Sequence, residues 1–338
     1  MTQPELAASV VVPTHRGAHR LPALLEALAA QDATDPWEVV VVVDGADEET
    51  EAVLAAAPGD LPLRVVRHDV ARGVSAALNA GTAAARGRVV VRCDDDLSPA
   101  PDMLRRHLAH HVGDEPVGVV GPTRDVLPDT PYARAYGRSA TERSVAGVLA
   151  ASGPDRWRHW AAHCSVRRDV LEAIGGYDEA MAYREDSELG LRLVRHGVRI
   201  VVDPGLVLPH RGAPADARTR VARAWVSGAS EVALTARHPG VTVRDAAPAA
   251  GPAARAWSLA TLVAATAMPS RAAAARVGGL LDRILHRVAP TFGGRLVALA
   301  VEAAARSGRD HGTADQAGYG GQKDDELRAE GRRDRGQR

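Results

Sequence analysis

Over the first third of the chain, short runs of β-branched apolar residues alternate with stretches whose apolar positions recur every three to four residues. That alternation is the mark of a sheet covered by helices on both faces. It predicts strands at Ser9–Pro13, Glu38–Val43, Leu63–Arg67 and Arg88–Arg92, with helices at His19–Gln31, Asp47–Ala57, Gly73–Arg86 and Pro101–His111. A second region, from about Val117 to Arg237, holds an expected strand at Val117–Gly121, a looser stretch rich in Trp and His, and a short strand near His163–Val166. Helices at Arg168–Ile174 and Glu185–His196 follow, then Arg199–Val202, Val207–His210 and a helix from about Asp216. Beyond Pro239 the chain turns Ala-rich. Ala256–Met268 and Leu296–Ala305 are apolar but interrupted by Pro269, Pro290 and Gly293–Gly294, which predicts several short helices.

The fold class expected is therefore α/β, a doubly wound and mostly parallel sheet of the nucleotide-binding kind, with a C-terminal helical appendage. The divisions expected are a catalytic domain over 1–237, an Ala-rich helical appendage over 238–306, and a disordered polar tail over 307–338, where the sequence becomes charged and Gly-rich. In such sheets ligands sit outside the carboxyl ends of the strands, which directs attention to the residues that follow each strand.

Composition narrows the classes. The 338 residues are 46% hydrophobic, enough for a sizeable core, and 42 Lys+Arg balance 42 Asp+Glu, so no overall field favours nucleic acid. Cys93 and Cys164 lie far apart without metal-ligand spacing, which argues against a disulfide scaffold or a structural zinc site and fits a reducing cytoplasm. No basic segment leads into an apolar one at the N-terminus, so secretion is not expected. The C-terminal apolar stretches fall short of the roughly 20 residues that spanning a membrane requires.

Four motifs carry candidate chemistry. In Cys93–Pro99 three adjacent aspartates follow a hydrophobic strand, and Asp94 and Asp96 can both offer oxygens to one hard cation, Mg²⁺ or Mn²⁺, that bridges diphosphate oxygens. The same cluster also suits a solvated acidic turn or a helix cap before Pro99. In Val11–Gly17 a buried strand ends at Pro13 and opens a polar loop that can line a nucleotide pocket with Thr14 and Arg16, or simply turn the chain into a helix. In Val41–Glu49, Asp44 follows the strand where doubly wound folds often bind a ribose or base edge. Finally, Gly175–Glu179 precedes Arg184–Leu193, a helix start at which Glu185 and Asp186 are favoured by the macrodipole and could supply a general base. Ordinary N-terminal helix charges would look the same.

The order and content of the four motifs resemble family 2 glycosyltransferases of the GT-A fold, over roughly Ser9 to Arg211. The resemblance maps the family's opening strand onto Pro13–Thr14, its nucleotide contact onto Asp44–Gly45–Ala46, its DxD motif onto Asp94–Asp95–Asp96, and its catalytic acidic pair onto Glu185–Asp186. Arg72–Gly81 is similar to the family's helix that begins beside the diphosphate. What this implies is a donor site of Pro13, Thr14, Arg16, Asp44, Arg72, Asp94 and Asp95, and a divalent cation on Asp96 and Asp94. Asp186 would deprotonate the acceptor hydroxyl, with inversion at the anomeric carbon. His210 resembles a histidine that some GT-A enzymes use at the metal or diphosphate, though a surface or core role fits it equally. Trp157, Trp160 and His163 fall in the span that usually forms the acceptor side, where core packing is the competing explanation.

One departure stands out: Val43 precedes Asp44 where the family often has a second acid, so the base is open, with uridine the default. The implied partners are a nucleoside-diphosphate sugar and a glycan, lipid-linked or small-molecule acceptor, but no nucleic acid. The C-terminal helices could dock on the catalytic domain, pair two copies or lie on a membrane surface, which places the protein in the cytoplasm or at the inner face of the plasma membrane. A nucleotidyltransferase is the rival enzyme, but it usually needs a Gly-rich basic loop near the first strand and Thr14–Arg20 is a poor one. A non-catalytic sugar-nucleotide-binding protein would have no need of Asp186.

Overall fold

The computed structural model describes residues 6–241 and 251–313. Its elements run β1 (Ala8–Thr14), α1 (Leu21–Ala29), β2 (Trp37–Asp44), α2 (Glu48–Ala55), β3 (Leu63–His68), α3 (Val74–Ala84), β4 (Val89–Cys93), α4 (Met103–Ala109), β5 (Val117–Val120) and β6 (Thr123–Asp125). There follow α5 (Arg138–Ala150), β7 (His163–Arg167), α6 (Arg168–Ala173), α7 (Glu185–Arg195), β8 (Arg199–Val202), β9 (Leu208–His210), α8 (Ala217–Arg237), α9 (Pro252–Ala265), α10 (Arg271–Ile284) and α11 (Pro290–His311). A π-helical turn at Ala133–Gly137 leads into α5, a feature the sequence pattern did not announce.

Seven strands form one sheet in the order β3-β2-β1-β4-β7-β5-β8. All run parallel except β7, which pairs antiparallel with both β4 and β5. The sheet is thus doubly wound and mostly parallel, as expected. The valine runs of β1, β2 and β4 are buried throughout because helices cover both faces. On one face Val10, Val12, Val39, Val41, Val89 and Val91 meet Leu21, Leu24, Leu25 and Leu28 of α1, whose spacing of three, one and three residues puts them on a single helical stripe. That packing fixes where β1, β2 and β4 end, and hence where their terminal polar residues emerge.

Contacts divide the described chain into two compact units, one of residues 6–124 and 145–212, the other of 125–144, 213–241 and 251–313. The helix α8 and the segment 125–144 thus cluster with the C-terminal helices, whereas composition had placed both within 1–237. Within the second unit α8 lies against α10 and α11, and small residues set the spacing: a side chain on Gly308 would meet the Trp225 carbonyl at 2.0 Å. Helix α11 continues to His311, past the expected start of the polar tail at 307, and the rest of that tail, 314–338, lies outside the described residues.

Candidate active site

A cavity of about 440 Å³ opens at the carboxyl ends of β1, β2 and β4. Its wall comes from Pro13–His15, Arg20, Asp44, the start of α3 from Ala71 to Ser75, the three aspartates Asp94–Asp96, and Glu179, Met181 and Ala182. It occupies the place that doubly wound sheets reserve for ligands.

The end of β1 is locked to the end of β4. Thr14 Oγ1 donates to Asp95 Oδ2 at 2.6 Å, and Arg20 donates to both Asp95 oxygens at 2.9 Å. Gly17 closes this corner, because a side chain there would lie 1.9 Å from Thr14 Oγ1. Arg16, expected at the donor, takes a left-handed backbone with φ 52° and is exposed outside the cavity wall. That kink turns its side chain away, and Arg20, one turn of chain later, occupies the position expected of Arg16.

Asp44 is buried and fully engaged. Its Oδ1 accepts from the Arg72 backbone N–H at 2.8 Å and from His68 Nδ1 at 2.7 Å, while Oδ2 accepts from the Gly73 N–H at 2.8 Å. The carboxylate therefore pins the N-terminal approach of α3 beside the cavity. Gly73 has φ 95°, a conformation that a side chain would strain. Arg72 itself reaches Glu179 at 3.0 Å, both half-exposed.

The aspartates after β4 differ from one another. Asp94 receives Arg92 through two hydrogen bonds, Nε to Oδ1 at 2.8 Å and Nη2 to Oδ2 at 3.1 Å. Burial raises the Asp94 carboxyl above its ordinary range, more than Arg92 can offset. Asp96 lies 3.2 Å from His210 Nε2, and its Oδ1 is buried without a hydrogen-bond partner. Burial pushes the Asp96 carboxyl up, but the hydrogen bond and charge of His210 together with Arg20 hold it below the ordinary value. A bridge between Leu97 and His210 brings the histidine to this turn. Among the described residues no group of three or more potential ligands is arranged as a ready metal centre. Each oxygen of Asp94 accepts a hydrogen bond from Arg92.

Asp186 and Glu185 open α7, whose first turn carries Glu185, Asp186 and Glu188 at the positive end of the helix dipole. Glu185 is buried, and neither residue belongs to the cavity wall. Asp186 is nevertheless joined to that wall, because Arg92 Nη1 donates to Asp186 Oδ1 while the same guanidinium grips Asp94.

Trp157, Trp160 and His163 are 5%, 2% and 1% exposed, which overturns the acceptor-side reading of all three. The Trp160 ring fills the space beside Gly118 of β5, and His163 Nε2 sits 2.8 Å from His107 Nε2. Rings so enclosed by sheet and helix present no face to a sugar. Sequence reasoning also missed Arg92, Arg20, His68 and Tyr177. Of these Tyr177 lay inside the Gly175–Glu179 motif without a role assigned to it, and Arg92 left the signal of a charge inside the apolar strand β4. Arg20, His68 and Tyr177 are joined to the site by contacts 24 to 85 positions away in sequence.

Residues 9–174 match the family model described as Glycosyl transferase family 2. A pre-mycofactocin glycosyltransferase of Mycobacterium tuberculosis is 28% identical over 246 residues, covering 69% of this chain and 48% of the relative. An uncharacterized glycosyltransferase of Bacillus subtilis is 30% identical over 114 residues, 34% of this chain and 29% of the relative. The chain thus spans less than half the length of either. In structure it is similar to the mannosyltransferase PcManGT from Pyrobaculum calidifontis in complex with GDP-Man and Mn²⁺, with a TM-score of 0.59 and 23% identity, covering 89% of this chain and 86% of that one. Likeness at that identity speaks for a shared fold. The doubly wound sheet, the acidic turn that ends β4 and the match over residues 9–174 converge on one assignment: residues 9–174 are a glycosyl transferase family 2 region.

Proposed function

We propose that this protein moves a sugar from a nucleoside-diphosphate donor to an acceptor hydroxyl, with metal assistance and inversion at the anomeric carbon. The observation that carries the reading is the acidic wall of the cavity, where Asp96 keeps a bare buried oxygen and Asp94 is tied through Arg92 to Asp186 beyond the wall. Mg²⁺ or Mn²⁺ commonly takes one or two protein carboxylates and leaves its other positions to phosphate and water. Asp96 with His210 beside it fits that need. A divalent cation bound there would neutralise charge on the departing nucleoside diphosphate. The N-terminus of α3 lines the cavity, and helix N-termini favour phosphate groups through their free N–H groups and dipole. Asp44 holds that terminus in place, while Pro13, Thr14 and Arg72 contribute to the wall.

Asp186 is the group we assign to take the acceptor proton. Asp186→Asn is expected to lower release of nucleoside diphosphate by roughly 10²–10⁴-fold while leaving donor binding nearly intact, because amide and carboxylate are alike in shape but only one is a base. The experiment that tests the whole reading is a thermal-shift screen of UDP, GDP and dTDP and of UDP-glucose and GDP-mannose, with and without Mn²⁺, followed by an assay of nucleoside-diphosphate release. A ligand that binds only the native state raises Tm. The expected result is Mn²⁺-dependent stabilisation by one base and slow turnover of its sugar. Stabilisation without turnover would favour the binding-protein alternative, and pyrophosphate release from a nucleoside triphosphate would favour the nucleotidyltransferase.

We place the reaction in the cytoplasm, with α9 to α11 resting on an anionic membrane face. Support comes from Leu259, Leu262 and Val263, which share one exposed stripe of α9, and from exposed Leu280, Ile284 and Phe292. Arg255, Arg271, Arg276, Arg283, Arg287 and Arg295 stand against Asp282 alone between 251 and 300. No described helix is long and apolar enough to cross a membrane. Co-sedimentation with phosphatidylglycerol vesicles, but not with phosphatidylcholine vesicles, is the expected outcome. A concentration-dependent dimer without vesicle binding would replace the lipid with a second copy.

A further inference from the structure

Arg92 is a charged side chain in the middle of the sheet, paired in register with Val11 of β1 and Cys164 of β7. It is 5% exposed. Taking a guanidinium out of water costs several kcal/mol, and well-packed apolar residues often serve stability as well as or better than a buried ion pair. An arginine between two carboxylates is therefore an arrangement that stability alone does not favour, and its geometry says what it does.

The Asp94 carboxylate takes Nε and Nη2 together, the two-point grip that fixes the plane of a guanidinium. With that plane set, Nη1 has one direction, and along it lies Asp186 Oδ1. Behind the contact stands Tyr177, with its hydroxyl 3.4 Å from Nη1 and the guanidinium 5.8 Å from its ring centre. Tyr177 is itself clamped by Asn79, which accepts from its backbone N–H at 2.8 Å and donates to its carbonyl at 2.9 Å. A chain of fixed groups thus runs from α3 through the Gly175–Gly176 turn to β4 and ends on one oxygen of Asp186.

Resting on the assignment of Asp186 as the base, we propose that Arg92 is its positioning residue: it holds Asp186 Oδ1 and leaves the other oxygen for the acceptor hydroxyl, with Asp94 serving as the anchor that orients the guanidinium. The two outer aspartates of the acidic turn then have separate tasks, Asp94 toward Arg92 and Asp96 toward the cation.

The test uses the full chain, Mn²⁺, and whichever of UDP-glucose and GDP-mannose the nucleotide screen selects, with release of nucleoside diphosphate as the rate and calorimetric titration of Mn²⁺ with UDP or GDP as a separate readout. Lysine at position 92 keeps the charge but cannot grip Asp94 at two points while reaching Asp186. Arg92→Lys is expected to melt cooperatively, to bind Mn²⁺ and nucleotide within about threefold of the parent, and to lose on the order of 10²-fold in kcat with little change in KM, the size expected for a displaced catalytic group. In an Asp186→Asn background the same change should cost nothing further, since there is no base left to aim. Parental kcat in Arg92→Lys, or a loss that adds in full to that of Asp186→Asn, overturns the proposal. Should Arg92→Lys fail to fold, Asp94→Asn decides. A fall in kcat at unchanged Mn²⁺ affinity supports the anchor, and a loss of Mn²⁺ affinity at unchanged kcat refutes it. Parental turnover by Asp186→Asn would instead remove the base on which the proposal rests, an outcome distinct from parental turnover by Arg92→Lys alone.

Discussion

Two acidic turns end neighbouring parts of the same sheet, and they make opposite use of their carboxylates. After β2, Asp44 receives three donors from the protein itself, His68 and the N–H groups of Arg72 and Gly73. After β4, Asp96 retains a buried oxygen that nothing in the described chain satisfies. Buried polar groups are nearly always hydrogen-bonded, so the bare oxygen asks for a partner from outside, whereas the saturated one acts as a brace. Position at the end of a strand does not separate the two roles. The supply of donors does.

The comparison can be broken by swapping charge for amide at each turn. Asp96→Asn should weaken Mn²⁺ binding by roughly 10²-fold, measured by calorimetry, with a smaller change in Tm, because the side chain meets His210 through one oxygen and leaves the other without a partner. Equal Mn²⁺ affinity in this variant would move the cation elsewhere.

A pH series supplies the next largest effect, from a third polar cluster in the same unit. His107, His111 and His163 are buried around Ser165, with His107 Nδ1 and His111 Nε2 each 2.8 Å from Ser165 Oγ. Burial lowers His111 and His163 to about 4 from 6.5, and lowers His107 well below its ordinary value. The unfolded chain therefore binds protons that the folded one refuses between those values. Stability from this cluster is complete above about pH 6.5 and is lost as pH falls toward 4, at on the order of 3 kcal/mol for each of His111 and His163. Denaturant titrations at pH 7 and pH 4.5 check the sign, and a His163→Gln variant should flatten the dependence. The cluster holds no carboxylate for a hard cation, and it should give no Mn²⁺ response.

The smallest effect sharpens the brace itself. Asp44→Asn replaces one acceptor with an N–H₂ group facing donors, and should cost about 1–3 kcal/mol in stability while leaving Mn²⁺ affinity unchanged. Mn²⁺ affinity falling in step with stability would erase the distinction between the two turns.

How much of this was legible beforehand follows from the range over which each signal acts. The strands β1, β2 and β4 could be read because valine runs need a sheet buried on both faces, and the helix stripes of α1 and α7 because apolar spacing is local. The positions of Thr14, Asp44, Asp94, Asp95 and Asp96 along the cavity also followed, since residues just after parallel strands share one edge. Arg16 and Arg20 could not be told apart, because a single left-handed residue decided which of them faces inward. Trp157 and Trp160 could serve either the acceptor side or the core by sequence, and the packing against Gly118 and Gly190 places them inside.

The sequence by itself determined which segments are strands and helices, the family to which residues 9–174 belong, and the stretch of chain in which acid groups gather, all properties carried by neighbours within a turn or two. The tertiary structure alone decided which carboxylate is braced, which is gripped by Arg92 and which is left bare. Arg92 is only two positions from Asp94, but the other donors that decide the outcome arrive from 24 to 94 positions away. Hydrogen bonds are short and directional, so their assignment is settled only when the packed sheet brings those donors into place.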